Sequence, residues 1–139
     1  AETDAICTYF EAIQPEPPLM GTSPVEKATI AMWQRQVEMA LMLQVGMCFQ
    51  HTTGYFKDRM TPFPDFGKEA GVNAAKYLNI LERRLERYPY IAGEHFTIAD
   101  ITALCAIDFG RVVDIRLQEK HNNLKEWYGR VSQRESAKA

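Results

Sequence analysis

Tyr90-Ile91-Ala92-Gly93-Glu94-His95-Phe96-Thr97-Ile98-Ala99-Asp100-Ile101 decides the fold class. Pro89 and Gly93 make its first part a loop. Thr97 and Asp100 then stand three apart, as a helix-start capping pair does, with Asp where Glu or Gln is more usual. Phe96 and Ile101 are spaced to staple across the start. The predicted helix runs from Ile98 to about Val113 and carries Ile101, Ala103, Leu104, Ala106, Ile107 and Phe109. A helix apolar on all sides belongs in the middle of a bundle. An all-α helical bundle of about five helices follows, because no stretch of the chain alternates at strand period.

Outward from this segment, Ser23-Pro24-Val25-Glu26 is a second start signal, with proline at the first helical position. The helix should reach about His51, since no proline interrupts it. Ile30, Val37, Leu41 and Cys48 mark one face, and Met32, Met39, Leu43 and Met47 a second, so burial on two sides is expected. Asp65 is expected to cap a further helix, Phe66 to about Arg87. Its inner face is Ala70, Ala74, Tyr77, Leu78, Leu81 and Leu85, and its outer face Glu82, Arg83, Arg84, Glu86 and Arg87. A last helix follows Asn123, with Leu124, Trp127, Tyr128 and Val131 on one side.

The amino-terminal part divides differently. Residues 1–13 read as a short helix that Thr3 can cap, with Ile6, Tyr9, Phe10 and Ile13 along one side. Residues 14–23 hold three prolines and a glycine, which suits an extended linker between domains. The first residue is Ala1, so the chain is expected to be processed or cut from something longer.

Composition narrows the function. Sixteen Lys and Arg against eighteen Asp and Glu give a net charge of −2, without the basic face that nucleic acid needs. No apolar run approaches the ~20 residues of a membrane helix. Cys7, Cys48 and Cys105 are odd in number and far apart, which suggests a reducing, cytoplasmic compartment and inert buried thiols. His51, His95 and His121 are isolated, and no metal-ligand spacing occurs. Met32, Met39, Met42 and Met47 suit core filling, with a ligand cleft as the alternative. Asp108-Phe109-Gly110 spells a kinase triplet but falls within a helix and lacks its partner motifs.

The segment Tyr90–Ile101 resembles the signature of the C-terminal domain of cytosolic glutathione S-transferases. Asn123-Leu124, Trp127-Tyr128, Val131 and Arg134 resemble that family's last helix and the turn after it, with Glu135 where many members have proline. Glu2-Thr3, Ala5-Ile6 and Tyr9 resemble the helix that closes its thioredoxin-like N-terminal domain, and residues 14–23 its interdomain linker. The Met32–Arg35 stretch looks like a proteobacterial member. Residues 24–139 are then the all-α C-terminal domain and residues 1–13 the last helix of a truncated first domain.

The resemblance implies a parent enzyme that joins glutathione thiolate to hydrophobic electrophiles, in detoxification, as a homodimer. Composition and spacing, as above, lead to the expectation of no metal, no membrane and no nucleic-acid partner. The thiol-activating residue would lie upstream of Ala1, so no catalytic residue is assigned and these residues alone are expected to be inactive. Glu2 and Thr3 would hold the γ-glutamyl end of glutathione, a carboxylate for the ammonium and a hydroxyl at a helix start for the carboxylate. Trp33, Gln36, Ala40, Arg111 and Ile115 are candidates for the hydrophobic substrate wall, with core packing the alternative for Trp33 and core or solvent the favoured alternative for the other four. Thr97 and Asp100 are assigned a structural cap. The alternative function is a non-catalytic interaction module of the same fold. A third reading is a domain that dimerises through its first long helix.

Overall fold

The computed structural model describes residues 1–138. It is all-helical, with no strand among the described residues. Helix α1 spans Thr3–Ile13, α2 Pro24–Val37, α3 Leu43–Thr52, α4 Pro64–Leu85, α5 Ile98–Gly110 and α6 Asn122–Val131. A π-helical turn, Glu38–Met42, joins α2 to α3 without a break. Counted as continuous rods, the helices number five among the described residues. The fold class is therefore as expected, while the π turn has no signal in the sequence.

The long α2–α3 rod starts as its motif dictates. Ser23 Oγ accepts from Glu26 N at 3.2 Å, and Glu26 accepts from Ser23 N at 2.9 Å. Thr22 adds its backbone and hydroxyl donors to the same carboxylate, and these hydrogen bonds bring its pKa down to about 2. Along the rod, Ile30, Val37, Leu41, Val45 and Cys48 are buried. The second face is not: Met32 and Met39 are 49% and 48% exposed, which corrects their reading as core.

Helix α4 begins at Pro64, where a missing N–H costs nothing, and Phe63 occupies the cap position. Asp65 lies inside the first turn and pairs with Lys68 instead of capping. The whole predicted inner face of α4 is buried. It packs on α3, and Gly67 permits the approach, since a Cβ there would stand 2.7 Å from His51 Cβ.

Helix α5 presents Ala99, Ala103 and Ala106 to the core, small side chains that let α2 and the π turn come close. Its burial is one-sided. Ile101 and Cys105 are exposed, which corrects the all-round reading of this helix and the expected burial of the Cys105 thiol.

The outer face of α4 also differs from a solvated surface. Glu82 accepts from Asn123 N and Leu124 N at 3.1 and 2.9 Å, so it caps α6 from another helix. Those backbone donors pull the Glu82 carboxyl below its usual value against the opposing effect of burial. Arg84 donates to Ile91 O and Ala92 O at 2.9 and 3.1 Å and binds the following loop to the bundle. His51 and His121 are buried, and each Nδ1 accepts a backbone N–H, from Phe63 and Gln118.

Candidate functional site

Thr97 and Asp100 form the capping pair, and Asp100 does more than cap. Its side chain is fully buried. Oδ2 accepts from Thr97 N at 2.9 Å and Thr97 Oγ1 at 3.1 Å. Oδ1 accepts from Ile91 N at 3.0 Å and Trp127 Nε1 at 2.8 Å. One carboxylate thus joins the loop, the start of α5 and the last helix. Burial outweighs these donors and holds its carboxyl above the usual range. The group faces protein on all sides, so its place is structural.

Glu2 and Thr3 stand at the other end of the chain's chemistry. Glu2 sits at the cap position of α1 with φ 65° and ψ 121°, a conformation that costs a non-glycine residue. Thr3 is the first helical residue, not the cap, and no side chain caps α1. Both residues are exposed. The start of α1 therefore presents a carboxylate, a hydroxyl and uncapped amides together, the donor and acceptor set of a zwitterionic ligand.

Helix α1 is lightly held. It has no buried residue. Glu11 accepts from Leu19 N and Met20 N at 3.3 and 2.8 Å, and Cys7 rests half-buried on the small cluster of Ile30, Ala92 and Ile98. Ile6, Tyr9, Phe10 and Ile13 are left exposed on α1, with Tyr9 at 63%.

The five residues expected in a substrate wall do not share a cleft. Trp33 bridges the two apolar clusters, and the Arg84 guanidinium stacks 4.8 Å from its ring centre. Arg84 also lies 3.6 Å over Tyr88. Gln36 is half-buried, and Ala40 packs on the main core from the π turn. Arg111 is exposed, where it meets Tyr128 Oη at 2.6 Å and Asp108 at 3.2 Å. Ile115 packs on the core and donates its N–H to Gly110 O at 2.9 Å. None of the five lines the two large clefts. One cleft, about 620 Å³, runs between the linker, the start of α2 and the loop Ala92–Thr97. The other, about 560 Å³, lies between α1 and α2.

Sequence reasoning passed over an aromatic group at the end of α3. Phe49 packs on Tyr55, Phe56 and Phe109 with ring centres 5.4, 6.0 and 5.2 Å away. Three aromatics within residues 49–56 were its signal. Gln34 and Glu82 had none, since polar residues on a helix give no sign of burial or of a distant partner.

Residues 63–135 match the family described as Glutathione S-transferase, C-terminal domain. A glutathione S-transferase 2 of Saccharomyces cerevisiae is 31% identical over 140 residues, covering 99% of this chain and 60% of the relative. The chain thus spans 60% of the length of that relative. The crystal structure of a glutathione S-transferase domain-containing protein from Marinobacter aquaeolei has a TM-score of 0.94 at 32% identity, covering 99% of this chain and 68% of that one. An elongation factor 1-gamma of Prunus avium is 27% identical over 110 residues, covering 78% of this chain and 25% of the relative. With its central bundle matched over residues 63–135, the chain belongs to the glutathione S-transferase C-terminal domain family.

Proposed function

We propose that this chain is the helical part of a glutathione transferase and that its α1 start holds the γ-glutamyl end of glutathione. The observation that carries the reading is Glu2, exposed and held at φ 65° beside Thr3 on an uncapped helix start. Strain of that kind collects at ligand clamps. The glutathione ammonium meets the Glu2 carboxylate, and its α-carboxylate meets the Thr3 hydroxyl and the first amides of α1. Thiol activation, and transfer to an apolar electrophile, fall to a thioredoxin-like domain upstream. The exposed apolar face of α1 supports such a domain, since residues 1–13 then form its last helix and residues 14–23 the linker. Gln36 and Arg111 stay as wall candidates, completed by that domain, and Trp33, Ala40 and Ile115 are read as core. The exposed Met32, Met39 and Leu43 support association with a second copy, and three unpaired cysteines a reducing cytoplasm.

The test uses the full-length polypeptide. Glu2→Gln and Thr3→Val should each raise KM for glutathione about tenfold or more, as losing a charge-assisted hydrogen bond does, while kcat and the helical spectrum stay as they were. An unchanged KM in both variants refutes the glutathione role. It would favour a second reading, an interaction module, which the likeness to elongation factor 1-gamma supports.

A further inference from the structure

We propose that Glu11 is a positioning residue: it sets the angle at which α1 meets the helical bundle, and with it the place of the Glu2–Thr3 clamp. The inference rests on the glutathione reading of that clamp and adds a residue that touches no substrate. Helix α1 buries no residue, so packing alone does not fix its direction. Two residues on one face tie it down. Cys7 rests on the small cluster of Ile30, Ala92 and Ile98. Glu11 lies one turn further along that face and is half-buried. It makes the only side-chain hydrogen bonds from α1 to other parts of the chain among the described residues.

The two ties differ in kind. The Cys7 contact is apolar and has no preferred direction. The Glu11 contact has one: Oε1 accepts from Met20 N at 2.8 Å and Oε2 from Leu19 N at 3.3 Å, so both carboxylate oxygens are aimed at the linker. What stands behind the linker makes this anchor firm. One peptide unit, the Leu19 carbonyl with the Met20 N–H, donates to Glu11 on one side and accepts from Ile98 N at 3.1 Å on the other. Ile98 is the first residue of α5, beside the Thr97–Asp100 cap. The Met20 side chain packs on the same small cluster as Cys7. A continuous line of hydrogen bonds therefore runs from the capped start of α5, through the linker, to Glu11.

Helix geometry gives the leverage. From Cys7 to Glu11 the axis runs about 6 Å, and from Cys7 back to Glu2 about 7.5 Å. With Cys7 as pivot, a slip of about 1 Å at Glu11 moves Glu2 by slightly more than that. A misplacement of about 1 Å between groups that must align can cost about a hundredfold in rate. Glu2 and Thr3 travel with α1, so Glu11 governs the alignment of glutathione with an electrophile on the bundle, not the affinity for glutathione.

The test uses the full-length polypeptide with Glu11→Gln and Glu11→Leu. Gln keeps one acceptor for the two linker amides and Leu keeps none. Both variants should fold, because α1 buries no residue. With glutathione and chlorodinitrobenzene, Glu11→Leu should lower kcat about tenfold and leave KM for glutathione within about twofold. Glu11→Gln should recover part of the loss. Residual dipolar couplings, which need no substrate, should show α1 turned against α4 and α5 in Glu11→Leu. An unchanged orientation in that variant overturns the proposal whatever the kinetics. So does a lower Tm with kcat unchanged, which would make Glu11 a structural tie only, or a rise in KM for glutathione with kcat unchanged. If Glu2→Gln and Thr3→Val leave KM as it was while α1 still turns in Glu11→Leu, the glutathione reading falls and the positioning role of Glu11 stands.

Discussion

Replacing Asp100 by alanine should cost far more than losing an ordinary helix cap. An exposed cap is worth about 1 kcal/mol. Here the substitution leaves Ile91 N, Thr97 N and Trp127 Nε1 without an acceptor in the interior. Each orphaned buried donor costs about 1–3 kcal/mol, which sums to roughly 3–9 kcal/mol. Part is returned, because the variant no longer buries a carboxylate whose desolvation outweighs its donors. The expected net loss is about 3–5 kcal/mol. Urea unfolding followed by far-UV circular dichroism measures it, provided the slope stays constant. Trp127→Phe removes one of the donors, so in a double-mutant cycle the two sites should couple by about 1 kcal/mol or more. A loss near 1 kcal/mol for Asp100→Ala, with no coupling to Trp127, would refute the view of Asp100 as a three-way junction.

The two glycines of α4 should respond differently. A Cβ on Gly67 meets His51 Cβ at 2.7 Å and Thr52 Cγ2 at 2.8 Å, so Gly67→Ala should destabilise by about 1–3 kcal/mol in urea unfolding. At Gly71 the nearest atom is Cys48 Sγ at 3.1 Å, and the gain in helix propensity of about 1 kcal/mol should offset that milder contact. Protonating His121 should destabilise the protein on the acid side. Burial, followed by Lys120, holds its pKa below the usual value, so the unfolded chain takes up the proton first. Stability is complete above about pH 6.5, falls as pH drops through that value, and levels off below the folded pKa. Unfolding midpoints from about pH 5 to 8 should trace this limb, and His121→Asn should flatten it.

What the sequence revealed, and what it hid, follows from distance along the chain. The inner face of α4 was legible because burial repeats at helical period, from Ala70 through Leu85. The caps at Ser23 and Thr97 were legible because donor and acceptor lie three residues apart. Glu82 was hidden because its partners, Asn123 and Leu124, are 41 and 42 residues away. Asp100 was read as half of a local pair for the same reason, since Trp127 lies 27 residues on. Met32 and Met39 look like any buried methionine until the surface they occupy is known. At the candidate site, Glu2 and Thr3 were named by resemblance, but the left-handed backbone of Glu2 had no local signal.

Glu82 has a consequence for the order in which the chain is made. Helix α6 has ten residues, too few to be stable in water by itself. Its start signal is carried on α4, which leaves the ribosome well before α6 does. A chain synthesised from its amino end has therefore set out the anchor before the segment that needs it exists. The last helix can form as it emerges, onto a carboxylate already in place.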